Sequence, residues 1–160
     1  MEMAEAKAEE AATWVCWDIE NCPIPNGCKA EEISQKISLA LSKLNYLGPI
    51  SISAYGNMNH IPPSVKKALS STGVVLNHVH VNSRSSSSRI FRELLDWAYN
   101  SDTSNLIFIS RDDSFCSYLS KWQRDRNKNV LLAHPPNASD SFVSSAKTTW
   151  LWNSLCTSLI

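Results

Sequence analysis

The sequence predicts a three-layer α/β/α fold, in which helices cover both faces of a mostly parallel sheet of about five strands. Short apolar segments of strand length alternate along the chain with longer segments whose apolar residues recur at helical spacing. This order of elements is typical of parallel α/β proteins. The segment from Leu106 to Ile109 is apolar throughout, as expected for a strand that is buried on both faces.

Two strands and the helix between them are predicted in the first third of the chain. The apolar run 14–18 has the length of a strand, and Pro23 interrupts regular structure soon after it. From Ile33 onward, apolar residues recur at i, i+4, i+7, i+8 and i+11, which is the spacing of an amphipathic helix. Residues 50–55 then alternate between apolar and polar side chains, which predicts the second strand.

The middle of the chain adds a short helix and a third strand. Pro63 is compatible with the first turn of a helix, and Gly73 is placed to end it. The segment 74–79 is short and rich in β-branched residues, so it is predicted as a strand. A serine-rich stretch at 82–89 is predicted as a loop, and a helix is predicted to begin at Ile90.

Two further strands and two helices complete the predicted fold. Residues 105–110 form the fourth strand, and from Phe115 large apolar residues recur at i, i+3, i+4 and i+7, as in a helix. Residues 130–133 form the fifth strand, and a last helix is expected near 139–146. The aromatic segment 150–152 is expected to pack as a tail onto the domain.

The length and composition indicate one globular domain. The 160 residues are sufficient for a single core, and 43% of them are hydrophobic. We expect the domain to span 13–155, with a flexible tail at 1–12 and a short tail at 156–160. Fifteen basic and fifteen acidic side chains balance, so binding of nucleic acid through bulk charge is excluded and a local patch is needed. No apolar run has the length of a membrane span or a secretory signal, which predicts an intracellular and most simply cytoplasmic protein.

Acidic residues follow two of the predicted strands. Asp18 ends the first strand, and Asp112 and Asp113 follow the fourth. Ligands of open α/β sheets bind beyond the carboxyl ends of the strands, so Asp18 and Asp112 would converge if these two strands are neighbours. Carboxylates placed in this way can hold Mg²⁺ or Mn²⁺, which can activate a water for phosphodiester hydrolysis. The simpler alternative is that Asp18 caps a turn and Asp112 caps the following helix.

Four sequence blocks, in this order, resemble the NYN domain of the PIN-like nucleases, and in particular plant members related to the meiosis regulator and mRNA stability factor (limkain) group. The blocks are 17–23, 109–112, 131–133 and 150–152. The resemblance covers about 13–155 and implies a PIN-like, Rossmann-like fold and a metal-dependent endoribonuclease activity. Asp18 and Asp112 match the acidic positions of the family, and Asn21 matches the asparagine beside them. Association with peroxisomes is an expectation from the resemblance alone.

Two of the four acidic positions of the NYN pattern are serines in this chain. The expected carboxylates fall on Ser87 and Ser114, while Glu20 and Asp113 are the remaining acids nearby. Loss of two carboxylates weakens the attraction for a divalent ion. We therefore expect weak binding of Mg²⁺ or Mn²⁺ by Asp18 and Asp112, and slow or absent cleavage. The alternative is a catalytically inactive module that binds RNA or serves as a protein scaffold.

Several basic residues lie near the expected site in the sequence and are candidates for contacts with an RNA backbone. An equally simple interpretation is a solvated surface. Single-stranded RNA is the expected partner, and protein partners are a further expectation. The candidates are Arg84, Arg89, Arg111, Lys121 and Arg124.

Overall fold

The computed structural model describes residues 1–80 and 83–158, apart from the side chains of 83–86. Its centre is a six-stranded sheet in which every pair of neighbouring strands is parallel, in the order β3-β2-β1-β4-β5-β6. The predicted α/β class is confirmed, with one strand more than the five expected. The strands are β1 (Thr13–Asp18), β2 (Ile50–Gly56), β3 (Val74–His78), β4 (Asn105–Ile109), β5 (Asn129–His134) and β6 (Thr148–Leu151).

Helices cover both faces of this sheet, so the two faces have separate cores. On one face, Trp17 and Ile107 pack in a cluster with residues of the helices before β2, before β3 and after β6. On the other face, Cys16 and Phe108 pack with the helices before β4 and before β5. The helices are α1 (Ala6–Glu9), α2 (Ile33–Lys43), α3 (Pro63–Ser71), α4 (Ser83–Asn100), α5 (Cys116–Asp125), α6 (Asp140–Val143) and α7 (Trp152–Thr157).

Two elements differ from the sequence-based prediction. Of the serine-rich stretch predicted as a loop, 83–89 belongs to α4, which begins at Ser83 instead of Ile90, and residue 82 lies outside the described part of the chain. Serine is only moderately unfavourable in a helix, and the buried Ile90 and Leu94 fix the helix that it extends. The segment 150–152, predicted as an aromatic tail, overlaps the end of β6 and the start of α7, because the backbone of Thr148–Leu151 pairs with β5 from Leu131 to His134.

The described segments near both ends of the chain contact the domain. The segment 1–12, predicted as a flexible tail, contains α1, and the amide of Ala4 donates to the carbonyl of Leu44 at 2.8 Å. At the other end, the predicted domain boundary near residue 155 falls inside α7, where the side chain of Cys156 is buried. Within the described part of the chain, no helix is both long and apolar enough to cross a membrane.

Candidate functional site

The candidate site lies where the strand order of the sheet changes direction. Strands β2 and β3 follow β1 on one side of it in the sheet, and β4 pairs with the other side of β1. Such a switch point leaves a crevice beyond the carboxyl ends of the two central strands, where ligands of open α/β sheets bind. Asp18 is the last residue of β1, and Asp112 lies three residues past the end of β4.

Asp18 is a buried acid that is held by polar neighbours. Its side chain alternates onto the face covered by α4 and α5, and the residue is only 2% exposed. The amide of Asn21 donates to both carboxylate oxygens, at 3.1 and 3.0 Å. The hydroxyl of Ser110 donates to Oδ2 at 3.3 Å. Asn21 therefore contacts Asp18, beside which the family resemblance had put it.

Ser110 connects the two acids. Trp17 of β1 is in register with Ile109 of β4, so the next residue of each chain segment, Asp18 and Ser110, are also side by side. The Ser110 hydroxyl that donates to Asp18 also accepts a hydrogen bond from the backbone N–H of Asp112, at 3.0 Å. The sequence prediction missed this serine, although the same strand alternation that aims Asp18 at this face also aims Ser110 there.

Asp112 accepts hydrogen bonds from both serines that replace the expected acids. The backbone N–H and the hydroxyl of Ser114 donate to Oδ1 at 3.0 and 2.6 Å. The hydroxyl of Ser87, from α4, donates to Oδ2 at 3.0 Å. The N–H of Ser114 belongs to a short 3₁₀ helix, Asp113–Phe115, so Asp112 is also its N-cap. The capping role that was the alternative for Asp112 is therefore present together with the convergence of the site residues.

The protonation of Asp18 reflects this environment. Burial raises the pKa of the Asp18 carboxyl above its ordinary value, and the negative charge of Asp112 raises it further. The hydrogen bonds from Asn21 and Ser110 act in the opposite direction, because they stabilise the carboxylate. The two acids are close because the Ser110 hydroxyl contacts both the Asp18 carboxylate and the backbone N–H of Asp112.

The two carboxylates have few free acceptor positions with which to bind a metal ion. Each accepts three hydrogen bonds from described residues, and a carboxylate has about four acceptor positions. At most about one position remains on each of Asp18 and Asp112. Among the described residues, no group of three or more His, Cys, Asp or Glu side chains is arranged to hold a metal. The donor set fits a divalent ion that is bound by one oxygen of each acid and otherwise by water.

Glu20 and Asp113 lie outside this network of Asp18 and Asp112. Glu20 accepts a hydrogen bond from the backbone N–H of Asn57, and its Oε2 lies 2.8 Å from Nδ1 of His60. The Glu20 carboxylate therefore contacts the loop after β2 and not Asp18 or Asp112. Asp113 is exposed, one residue past Asp112 in the 3₁₀ helix.

The basic candidates are spread around the site. Arg111 is exposed between Ser110 and Asp112. Burial raises the pKa of Cys22, which follows β1, to about 12, and the positive charge of Arg111 offsets part of this increase. Arg89 lies over the ring of Tyr55, the register partner of Asp18, but its charge is paired with Glu93 at 2.9 Å.

The remaining basic candidates are less informative. Arg124 pairs with the adjacent Asp125 at 3.1 Å, and Lys121 is exposed on α5. The side chain of Arg84 is outside the described part of the structure. Among the proposed basic residues whose side chains are described, Arg111 is the one adjacent in the chain to a site acid, Asp112.

Comparison with known proteins identifies the family. The model of the NYN domain matches residues 12–151. The chain belongs to the NYN domain family. This NYN domain is 24% identical over 138 residues to a cattle (Bos taurus) protein named meiosis regulator and mRNA stability factor 1, a match that covers 82% of the chain. The chain spans 8% of the length of that relative.

A solved structure supports the same architecture. A crystal structure of a protein of unknown function from Vibrio parahaemolyticus superimposes with a TM-score of 0.64 and 16% sequence identity. The match covers 92% of this chain and 94% of the bacterial one. At this level of identity the likeness shows a shared fold, so the function has to be argued from the site itself.

Proposed function

We propose that this NYN domain acts on RNA, as an endoribonuclease-like domain with a weakened metal site at Asp18 and Asp112. The observation that carries the proposal is the hydrogen-bonded connection from Asp18 through Ser110 to Asp112, at the switch point of the sheet. Membership of the NYN family and the name of the cattle relative support RNA as the substrate class. A role in mRNA stability or in the regulation of gene expression is part of the same proposal.

The residues of this chain have separate tasks in the proposal. Asn21 and Ser110 orient the Asp18 carboxylate, and Ser114 and Ser87 orient that of Asp112. A divalent ion, Mg²⁺ or Mn²⁺, would be held by the two acids, and it would supply Lewis-acid activation of water and stabilise charge on the phosphate. Arg111 is placed to attract a phosphate group of the RNA to this edge of the sheet.

A second candidate function is RNA binding or scaffolding without cleavage. It is favoured by the hydroxyls of Ser87 and Ser114, which donate to Asp112 where the NYN pattern has acids. Two carboxylates give a divalent ion less Coulomb stabilisation than four, and affinity depends on ligand charge. Binding of RNA would remain in this case, since it needs Arg111 and other positive groups but no metal.

The two candidates differ in their response to metal. We expect the purified chain to cleave a labelled single-stranded RNA slowly in Mn²⁺ and not in chelator, and Asp18→Asn to abolish the product. Asp113→Asn is the control, since it removes an exposed charge one residue from Asp112. Cleavage that persists in Asp18→Asn would refute the role of the acids, whereas salt-dependent binding without product would favour the second candidate.

A gain-of-function change tests the reason for the weak site. In Ser87→Asp combined with Ser114→Asp, two donors to Asp112 are replaced by carboxylates. We expect the double variant to bind Mn²⁺ at least tenfold more tightly than the unchanged chain in a calorimetric titration, because ligand charge increases affinity. The single changes are the matched controls. If the double variant gains no affinity, positions 87 and 114 do not face a shared ion.

A further inference from the structure

A cleft with an aromatic floor opens next to Asp112, and the proposed chemistry does not use it. It lies between α4 and the start of α5 and has a volume of about 400 Å³, within the range of sites for small organic groups. Two of its lining residues, Ser87 and Ser114, are also the donors to Asp112, so the cleft and the acid site share a wall. The aromatic cleft is lined by Ser87, Ser88, Phe91, Ser114, Phe115 and Tyr118.

Two aromatic rings of the cleft are incompletely covered by the fold. Tyr118 is 42% exposed although it lies on the side of α5 that carries the buried Trp122. Its ring meets that of Phe91 edge-on, with centroids 4.9 Å apart. Phe91 in turn lies 6.1 Å from the buried Phe115, so the rings form a continuous surface from the core to solvent.

We propose that the aromatic cleft binds one unpaired nucleobase of the RNA, next to the phosphate that lies at Asp18 and Asp112. The inference rests on the proposed action on RNA and adds a structural requirement to it. A base has a flat apolar face and polar edges, and this cleft is lined by aromatic rings together with the side chains of Ser88 and Ser114. A base that is paired in a duplex cannot leave its stack without a cost, so the cleft selects single-stranded RNA.

The position of the cleft favours a base over a protein side chain as its occupant. Ser114 and Ser87 line the cleft and donate hydrogen bonds to Asp112, so a group in the cleft lies next to this acid. Arg111 lies on the same edge and attracts the adjoining phosphate. Stacking tolerates any of the four bases, so the cleft gives a preference for unpaired nucleotides without sequence specificity.

Equilibrium binding in chelator separates this inference from the proposed cleavage. Fluorescence anisotropy with a short labelled oligouridine measures the affinity of the unchanged chain, Tyr118→Ala, Tyr118→Leu and Tyr118→Phe. Leucine keeps apolar packing against Trp122 and removes the ring, so it serves if alanine perturbs folding. We expect the Ala and Leu variants to bind about tenfold more weakly, consistent with the loss of one base stack, and the Phe variant to bind like the unchanged chain.

The matched control is a tyrosine with the same exposure on another part of the surface. Tyr99 is 44% exposed near the end of α4, eleven residues from Ser88 and so about 16 Å along the helix. We expect Tyr99→Ala to leave the affinity unchanged. An oligomer of abasic ribose phosphates should bind the unchanged chain and Tyr118→Leu equally, because the difference depends on the base.

Three results would overturn the inference. The first is an unchanged affinity for oligouridine in Tyr118→Leu, which would leave a protein chain as the occupant of the cleft. The second is an equal weakening of abasic oligomer binding by Tyr118→Leu. The third is a loss of oligouridine affinity in Tyr99→Ala as large as that in Tyr118→Ala. If Mn²⁺ supports no cleavage but the Tyr118 variants still lose affinity for RNA that carries bases, the nuclease proposal would be refuted and the aromatic cleft would remain a base site.

Discussion

Replacement of Asp18 by asparagine tests whether a buried charge at this position lowers the free energy of unfolding. The residue is 2% exposed, and burial together with the charge of Asp112 raises the pKa of its carboxyl. An acid whose pKa is raised by folding favours the folded state below its unfolded pKa, and that contribution is lost as the pH rises through the folded pKa. At pH 7, where the unfolded carboxyl is ionised, Asp18 therefore lowers the free energy of unfolding relative to a neutral side chain of the same shape.

The size of this effect follows from opposing contributions at Asp18. Burial of an ion costs several kcal/mol, and hydrogen bonds from Asn21 and Ser110 recover about 1.5–3 kcal/mol each. The raised pKa shows that burial exceeds the recovery. Asparagine can still accept from Ser110, and the amide of Asn21 can turn over to match it. We expect Asp18→Asn to raise the free energy of unfolding by about 1 kcal/mol at pH 7, or about 2–4 °C in Tm.

Urea denaturation followed by tryptophan fluorescence measures this difference. At pH 3, below the unfolded carboxyl pKa of about 3.9, Asp18 is neutral in both states and the gain should vanish. Asp113→Asn, which removes an exposed charge, should change stability by less than about 0.5 kcal/mol at either pH. A loss of more than about 1 kcal/mol in Asp18→Asn at pH 7 would refute the reasoning, because the contacts of the ion would then outweigh its burial.

Two further substitutions test how the N-terminal segment is attached. Asn105 is fully buried and donates to the carbonyls of Ala8 and Ala11. Asn105→Ala should therefore lower the free energy of unfolding, measured by urea denaturation, by about 2 kcal/mol. A decrease no larger than that caused by Asn100→Ala, at an exposed position, would contradict this. A Cβ on Gly48 would lie 2.2 Å from the carbonyl oxygen of Ala11, so Gly48→Ala should make residues 1–12 more accessible to limited proteolysis. An unchanged digestion pattern would show that the backbone can accommodate the methyl group.

The regular core of the fold could be predicted because its pattern is local. The five predicted strands are present, since each is a short apolar or alternating run that needs no distant information to recognise. The sixth strand, β6, could not be recognised in the same way. It has four residues, Thr148–Leu151, at the edge of the sheet, and only its pairing with β5 makes it a strand. The start of α4 was missed because serines give a weak helix signal, which the packing of Ile90 overrides.

The candidate site was partly predictable for a similar reason. That Asp18 and Asp112 follow strands can be seen in the sequence, but their proximity depends on β1 and β4 being neighbours, which is a property of the topology. The link through Ser110 depends further on the register of Trp17 with Ile109. The aromatic cleft is harder to foresee, because Phe91 and Tyr118 come from the helices before and after β4 in the chain, and each has the spacing of an ordinary core residue.

The hydroxyls of Ser87 and Ser114 change the electrostatic balance of the site as well as its ligands. Four carboxylates in one pocket repel one another, so a site of that kind depends on a cation to hold its acids together. In this chain the repulsion is between Asp18 and Asp112, and neutral donors already stabilise both acids. A cation therefore has less to gain here, whereas the attraction of Arg111 for a phosphate is unaffected. The same two serines that weaken the proposed metal site leave the proposed RNA site intact, which is why cleavage and binding have to be measured as separate properties.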